Sequence, residues 1–302
     1  MRPLKIGRSY DVVFDPAGAC CLTFGRDVSL WDLSARKKAW TSHPLKHPSH
    51  AAFTPDGTGC VVKSTSGRMV LLDSGSGKLL RDYENESMGE GCAPVVSPCG
   101  GFLVDASWDG VLTARRADSG EVVFSRAWPG EMITGVHAAA GGLAWVTIHT
   151  PKQTNGVETR PPAYGLRWGW PFDAADPERL RVEWPRVWST ALSPCGAKLA
   201  VVSGQPPSEL AVIPIGGGEP AWSRTVAIGG SGDAVRWSPC GRLLGSVQDG
   251  CVVVYRAEDG EPLLVSPLEY PCSVAFDGTG AHAAFGSWQQ GVVFDLDLAA
   301  AE

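Results

Sequence analysis

One short turn is written repeatedly along this chain: Val95-Val96-Ser97-Pro98-Cys99-Gly100, Ala191-Leu192-Ser193-Pro194-Cys195-Gly196 and Arg236-Trp237-Ser238-Pro239-Cys240-Gly241. Looser copies stand at Phe14-Asp15-Pro16-Ala17-Gly18, Phe53-Thr54-Pro55-Asp56-Gly57 and Phe276-Asp277-Gly278-Thr279-Gly280. Each lies between apolar runs of strand length. Proline presets φ at about −65° and glycine supplies the permissive end, so each copy reads as a hairpin turn. A hairpin turn recurring along a chain means one structural unit used many times.

Alignment on Pro16, Pro55, Pro98, Pro194 and Pro239 gives steps of 39, 43, 96 and 45 residues, with 39 more to Gly278. A worn copy, Val136-His137-Ala138-Ala139-Ala140-Gly141, divides the long step into 41 and 55 when Ala139 takes the proline place. Seven units of about 40 residues, each with four short β-runs, predict an all-β chain: a seven-bladed β-propeller of four-stranded antiparallel blades, one domain over residues 1–302.

In the first unit, residues Asp11 to Phe14, Cys20 to Phe24, Val28 to Leu33 and Lys38 to Thr41 read as strands a, b, c and d. Phe14, Phe53, Val96, Leu192, Trp237 and Phe276 form an apolar column suited to the stacking of blades. His137 and Arg236 interrupt strand a, where hydrogen-bonded structural roles are expected. The last unit supplies Ser273 to Phe276, Ala281 to Phe285 and Gly291 to Leu296, then stops one strand short. Pro3 to Ile6 are expected to supply that strand and close the ring.

Net charge is −6 and no block of Lys and Arg stands out, which argues against nucleic acid as a partner. The start Met1-Arg2-Pro3-Leu4-Lys5 leads into polar sequence, and no apolar run approaches eighteen residues, so a cytoplasmic chain with no membrane partner is expected. Nine cysteines without a Cys-x-x-Cys pair read as reduced thiols. Cys99, Cys195 and Cys240 share one turn position and read as small fillers there. The excess of Arg over Lys, 18 to 8, hints at a GC-rich, bacterial genome.

The Ser-Pro-x-Gly turns, the run Val28-Ser29-Leu30-Trp31-Asp32 and the turns Asp109-Gly110 and Asp249-Gly250 resemble those of the WD-repeat β-propellers, over nearly the whole chain. The Trp-Asp pair stands intact at Trp31-Asp32. Its matching positions read Leu72-Asp73, Arg115-Arg116, Ile213-Pro214, Tyr255-Arg256 and Phe294-Asp295, so the chain resembles a degenerate member. The Gly-His pair that precedes strand a in that family is missing, and its buried His-Asp network is not carried over. The resemblance implies a scaffold that binds peptides or proteins on the face made by the d-to-a and b-to-c loops, and it brings no catalytic residues.

Catalytic signatures are missing: there is no Gly-x-Ser-x-Gly elbow and no His-Glu-x-x-His, and Ser76-Gly77-Lys78 lacks the pattern of a phosphate loop. His43, His47 and His50 crowd one loop, but Pro44 and Pro48 prevent a helix that would align them. Neither a metal nor a cofactor is expected. An insertion over 149–165 in the fourth unit carries Lys152-Gln153-Thr154 and Val157-Glu158-Thr159 around Asn155-Gly156, a favoured two-residue hairpin turn. It reads as a projecting arm, either for a partner or as decoration.

Twelve tryptophans are many for 302 residues. Trp31 and Trp237 sit in strand positions, whereas Trp108 and Trp288 fall in b-to-c connections and Trp128, Trp184 and Trp188 flank d-to-a connections. Such residues either anchor an interface or cap the blade ends. Trp108, Trp288, Trp188 and Trp128 are therefore the expected partner-binding residues, together with Lys152, Asn155 and Arg160 of the insertion. The expected function is a non-catalytic scaffold or adaptor that binds a protein or peptide through the loop-rich face. Two alternatives stand beside it: a propeller enzyme of the lactone or ester hydrolase type, and a small-ligand sensor. Both would use the channel mouth, the first with Asp27, Asp109 and Asp249 as its acidic candidates.

Overall fold

The structure is a computed structural model; it describes all residues except 1, 84–88, 140–142, 150–151, 155–156, 160–163, 170–177, 182–186, 204–206, 216, 228–233 and 297–302. The side chains of 139, 143–149, 152–154, 157–159, 178 and 180–181 also lie outside the description.

The recurring turn has one physical design. Its glycine has φ between +70° and +76° at Gly18, Gly57, Gly100, Gly196, Gly241 and Gly280, a region that side chains disfavour. The glycine N–H donates to the carbonyl three residues back, as from Gly100 to Ser97 at 2.8 Å and from Gly241 to Ser238 at 2.9 Å. That earlier residue always carries an oxygen. Ser97, Ser193 and Ser238 are buried, and their Oγ atoms accept from the N–H of Phe102, Lys198 and Leu243 at 3.0, 2.9 and 3.0 Å. Asp15, Thr54 and Asp277 accept likewise from Cys20, Gly59 and His282 at 2.6, 2.9 and 3.0 Å. Each side chain thus satisfies the amide that opens strand b.

Six such turns and their worn relative organise an all-β propeller of antiparallel sheets. Blade 1 consists of strands Val12–Phe14, Cys20–Phe24, Val28–Asp32 and Lys37–Ser42, hydrogen-bonded in chain order. Four-stranded blades follow over Pro48–Tyr83, Val95–Ala127, Met132–Arg181, Val187–Val226 and Val235–Pro267. The expectation of a seven-bladed propeller needs correction: among the described residues there are six four-stranded blades, and the sheet that closes the ring has only three elements, Pro271–Phe276, His282–Asp295 and Leu4–Ser9.

The physical reason is continuity of the ladder. The predicted runs Ala281 to Phe285 and Gly291 to Leu296 merge into one element, since Ser287 pairs with both Pro271 and Ser9. Ser287 Oγ also accepts from the N–H groups of Gln289 and Gln290 at 3.0 and 3.2 Å, which keeps the bend between the two runs hydrogen-bonded. Leu296 N–H returns to Ala281 C=O at 2.7 Å. The N-terminal strand lies at the outer edge of this sheet, with Leu4 opposite Val293.

The core sits between sheets. Leu22, Phe24 and Val28 of blade 1 pack on Phe53, Cys60 and Val62 of blade 2, while Ile6 and Val293 of the closing sheet pack on Val12 and Phe14 of blade 1. Of the predicted column, Phe14 and Phe53 lie in these interfaces, and Phe14, Phe53 and Phe276 are buried. In blade 4, the short strands Lys152–Thr154 and Val157–Thr159 pair only with each other, apart from the blade's own sheet. The flanking strands end at His149 and begin at Tyr164, so the connection is 150–163, shorter at each end than the 149–165 expected.

Candidate functional site

Backbone hydrogen bonds tie b-to-c loops to the neighbouring d-to-a loops: Thr65 N–H donates to His47 C=O at 3.0 Å, Trp108 to Glu90 at 3.0 Å and Trp288 to Tyr270 at 3.1 Å. The a-to-b and c-to-d turns are joined in the same way at the other end of the strands, as Ala117 to Gly101 at 3.0 Å and Ala257 to Arg242 at 2.8 Å. The molecule therefore has two distinct faces, and Trp108, Trp188 and Trp288 belong to the first. They are 48%, 37% and 42% exposed.

The densest grouping is at Trp288. Its ring lies 4.3 Å from that of Tyr10 between centroids, at 56°. Arg8 Cζ sits 5.4 Å from the Tyr10 centroid and 5.7 Å from that of Trp288, within cation–π range of both. Tyr270 is 63% exposed and holds a φ of +48°, a conformation that costs an aromatic residue on the order of 1 kcal/mol. Arg8 and Tyr10 arrive from the N-terminal end of the chain because the Leu4–Ser9 strand runs directly into this loop.

Trp128 differs from the other three. It is half-buried against the core shared by blades 3 and 4, with its ring 6.1 Å from that of buried Trp168 and Arg126 Cζ 5.3 Å from its centroid. Its surroundings are those of a packing residue. Lys152 lies in the short strand of the arm, its side chain outside the description, and Asn155 and Arg160 lie outside the described residues. Reading the sequence missed Arg8, Tyr10 and Tyr270.

The axial cavity, of about 660 Å³, is lined by strand-a residues such as Phe14, Phe53, Trp237 and Phe276. Among the described residues its lining includes Cys92, His137 and Arg236 but no carboxylate. His137 Nε2 lies 3.3 Å from Thr190 Oγ1. The acidic candidates stand elsewhere: Asp27 Oδ1 faces His43 Nδ1 at 2.6 Å, and Asp249 N–H is bonded to Ala227 C=O. His50 turns instead to buried Asp11, at 3.4 Å, so the histidine loop is divided between two carboxylates. Among the described residues no three His, Cys, Asp or Glu side chains converge as a metal site would need, and no helix is long and apolar enough to cross a membrane.

Inner strands touching in a closed cycle and apolar clusters between the sheets define the class: a β-propeller. The solved structure of U3-55K is similar to this chain, with a TM-score of 0.73 over 98% of both chains at 11% identity. That likeness carries the fold alone. No family model matches the sequence, and no curated protein matches it.

Proposed function

We propose that the protein is a non-catalytic, cytoplasmic scaffold or adaptor subunit that binds a partner protein or peptide through the loop-rich face, with Trp288 and its neighbours as the anchor. One observation carries this reading: Trp288, Tyr10, Tyr270 and Arg8 stand together on one accessible surface. Trp, Tyr and Arg are the residue types that dominate binding hot spots: Trp and Tyr bury much surface while ordering only two torsions, and Arg adds a planar guanidinium that stacks and donates several hydrogen bonds. Trp108 and Trp188 extend the surface onto blades 3 and 5. Nucleic acid and membranes are not among the partners proposed, given the charge of −6 and its even spread.

The test is comparative capture from the source organism with the two faces altered separately. Trp288→Ala and Trp108→Ala should each deplete the same bound proteins by about tenfold or more, the scale of losing an anchor of about 2 kcal/mol. Lys78→Ala and Glu261→Ala, in c-to-d turns of the other face, should leave capture intact. Equal capture by all four variants would remove the assignment.

A second reading has its own observation. The axial cavity of about 660 Å³ falls in the size range of small-ligand pockets, with His137 and Arg236 as its polar groups, which favours a sensor for a small anionic ligand. Arg236→Ala would then abolish a ligand-dependent rise in melting temperature and leave partner capture unchanged.

A further inference from the structure

Three copies of the repeated turn carry an exposed cysteine, Cys99, Cys195 and Cys240. The local chemistry is shared: Ser97, Ser193 and Ser238 Oγ lie 3.2, 3.4 and 3.2 Å from the three sulfurs. The serine hydroxyl, with the backbone N–H of Gly101, holds Cys99 below the ordinary thiol range, and Ser193 with the N–H of Ala197 does the same at Cys195. At Cys240 partial burial works against ionisation, but Ser238 and the backbone and guanidinium of Arg242 outweigh it, so that this thiol too is lowered.

The surroundings are not shared. A cavity of about 420 Å³ opens between the turns of blades 5 and 6, lined by Cys195, Cys240, Lys198, Arg242, Arg256 and Glu258. Three cations and one carboxylate thus face two thiols, in a chain whose net charge is −6. Asp259 also engages Arg256, at 2.8 Å, so three cations stand beside two carboxylates here. At the turn of Cys99, Gly101 and Phe102 stand where the other turns have Arg242 and Lys198, while Arg116 takes the place of Arg256.

We infer that the groove between blades 5 and 6 is a thiol-exchange site for small anionic disulfides, at which Cys240 and Cys195 are reversibly S-thiolated. The thiolate sulfur attacks one sulfur of the disulfide, whose S–S bond breaks. A new S–S bond joins the cysteine to one half, and the other half leaves as a thiolate that takes up the proton released on ionisation. One disulfide is consumed and one formed, so no further oxidant is needed. Lys198, Arg242 and Arg256 concentrate the anionic reagent beside the thiolates. The remaining six cysteines are poor competitors: Cys21, Cys60, Cys92 and Cys272 are buried, with burial pushing the Cys60 and Cys272 thiols up to about 12, and Cys20 and Cys251 are half-buried with thiols raised by burial and neighbouring aspartates.

The experiment exposes the full chain to oxidised glutathione, which is anionic, and to cystamine, which is cationic, and follows each cysteine by mass spectrometry of trapped peptides. With oxidised glutathione, Cys195 and Cys240 should react about tenfold faster than Cys99, a gap that closes with cystamine and at high salt. Arg242→Gln combined with Lys198→Gln should slow the anionic reagent at both sites and spare Cys99. Cys99 keeping pace with oxidised glutathione, or the double variant reacting at the original rate, would overturn the inference. If the double variant does not fold, the reagent comparison on the unaltered protein decides it.

Discussion

Lys63 of blade 2 reaches into blade 3, where its Nζ lies 2.6 Å from Asp105 Oδ1 with both side chains buried. The same ammonium donates to Ala106 C=O at 2.9 Å and Cys92 C=O at 3.2 Å, so all three of its protons have acceptors. Removing one partner strands the other charge in the core. Asp105→Ala should cost about 3–5 kcal/mol in urea unfolding, while Lys63→Met with Asp105→Leu should recover most of it. A single variant within about 1 kcal/mol of the parent would show that the pair is not desolvated.

Closure by the N-terminal strand makes a second prediction. Ile6 is 1% exposed and packs with Val12, Phe14 and Val293 between the closing sheet and blade 1. Ile6→Ala should cost about 2–5 kcal/mol, and deletion of residues 1–7 should lower the melting temperature further by baring a strand edge. An unchanged melting temperature in the truncated chain would contradict the closure.

The arm in blade 4 should behave in the opposite way. Its strands pair with each other and not with the blade. Replacing 151–161 with a short Gly-Ser link should therefore leave the thermal unfolding curve within about 0.5 kcal/mol of the parent, as for most surface changes. Loss of folding would place the arm in the structure of the blade.

Asp277 supplies an acid-sensitive contribution. Burial opposes its ionisation, but the backbone N–H of His282, the Thr279 hydroxyl and the His282 ring together outweigh burial and hold the carboxyl below its usual range. A carboxyl lowered on folding contributes stability that is present above its unfolded value, about 3.9, and is lost as pH falls through the folded value. The stability gap between the parent and Asp277→Asn should thus be widest near neutrality and shrink as pH is taken down from about 5. A gap independent of pH in stepped urea titrations would remove this linkage.

The repeated turn was legible because proline, glycine and an oxygen-bearing residue each serve a backbone requirement that sequence displays directly. The hairpin around Asn155-Gly156 was legible in the same way: its strands are present, although the turn residues lie outside the description. The two-part reading of the last unit failed because Ser287 pairs on both sides, a matter of register that apolar runs do not encode. The anchor cluster was half legible. Trp288 stood out alone, whereas Arg8 and Tyr10 join it only once Ser9 is placed opposite Ser287, from the far end of the chain. Trp128 looked like Trp108 in sequence, and Trp168 beside it in space made it a packing residue.

The most direct measurement of the central claim is amide hydrogen exchange on the protein with and without the partner recovered by capture. Protection should fall on Arg8 to Asp11, Leu268 to Tyr270 and Trp288 to Gln290, with further protection at Trp108, and exchange at the Ser-Pro-Cys-Gly turns should be unchanged. Protection confined to those turns, with none around Trp288, would contradict the assignment of the loop-rich face as the binding surface.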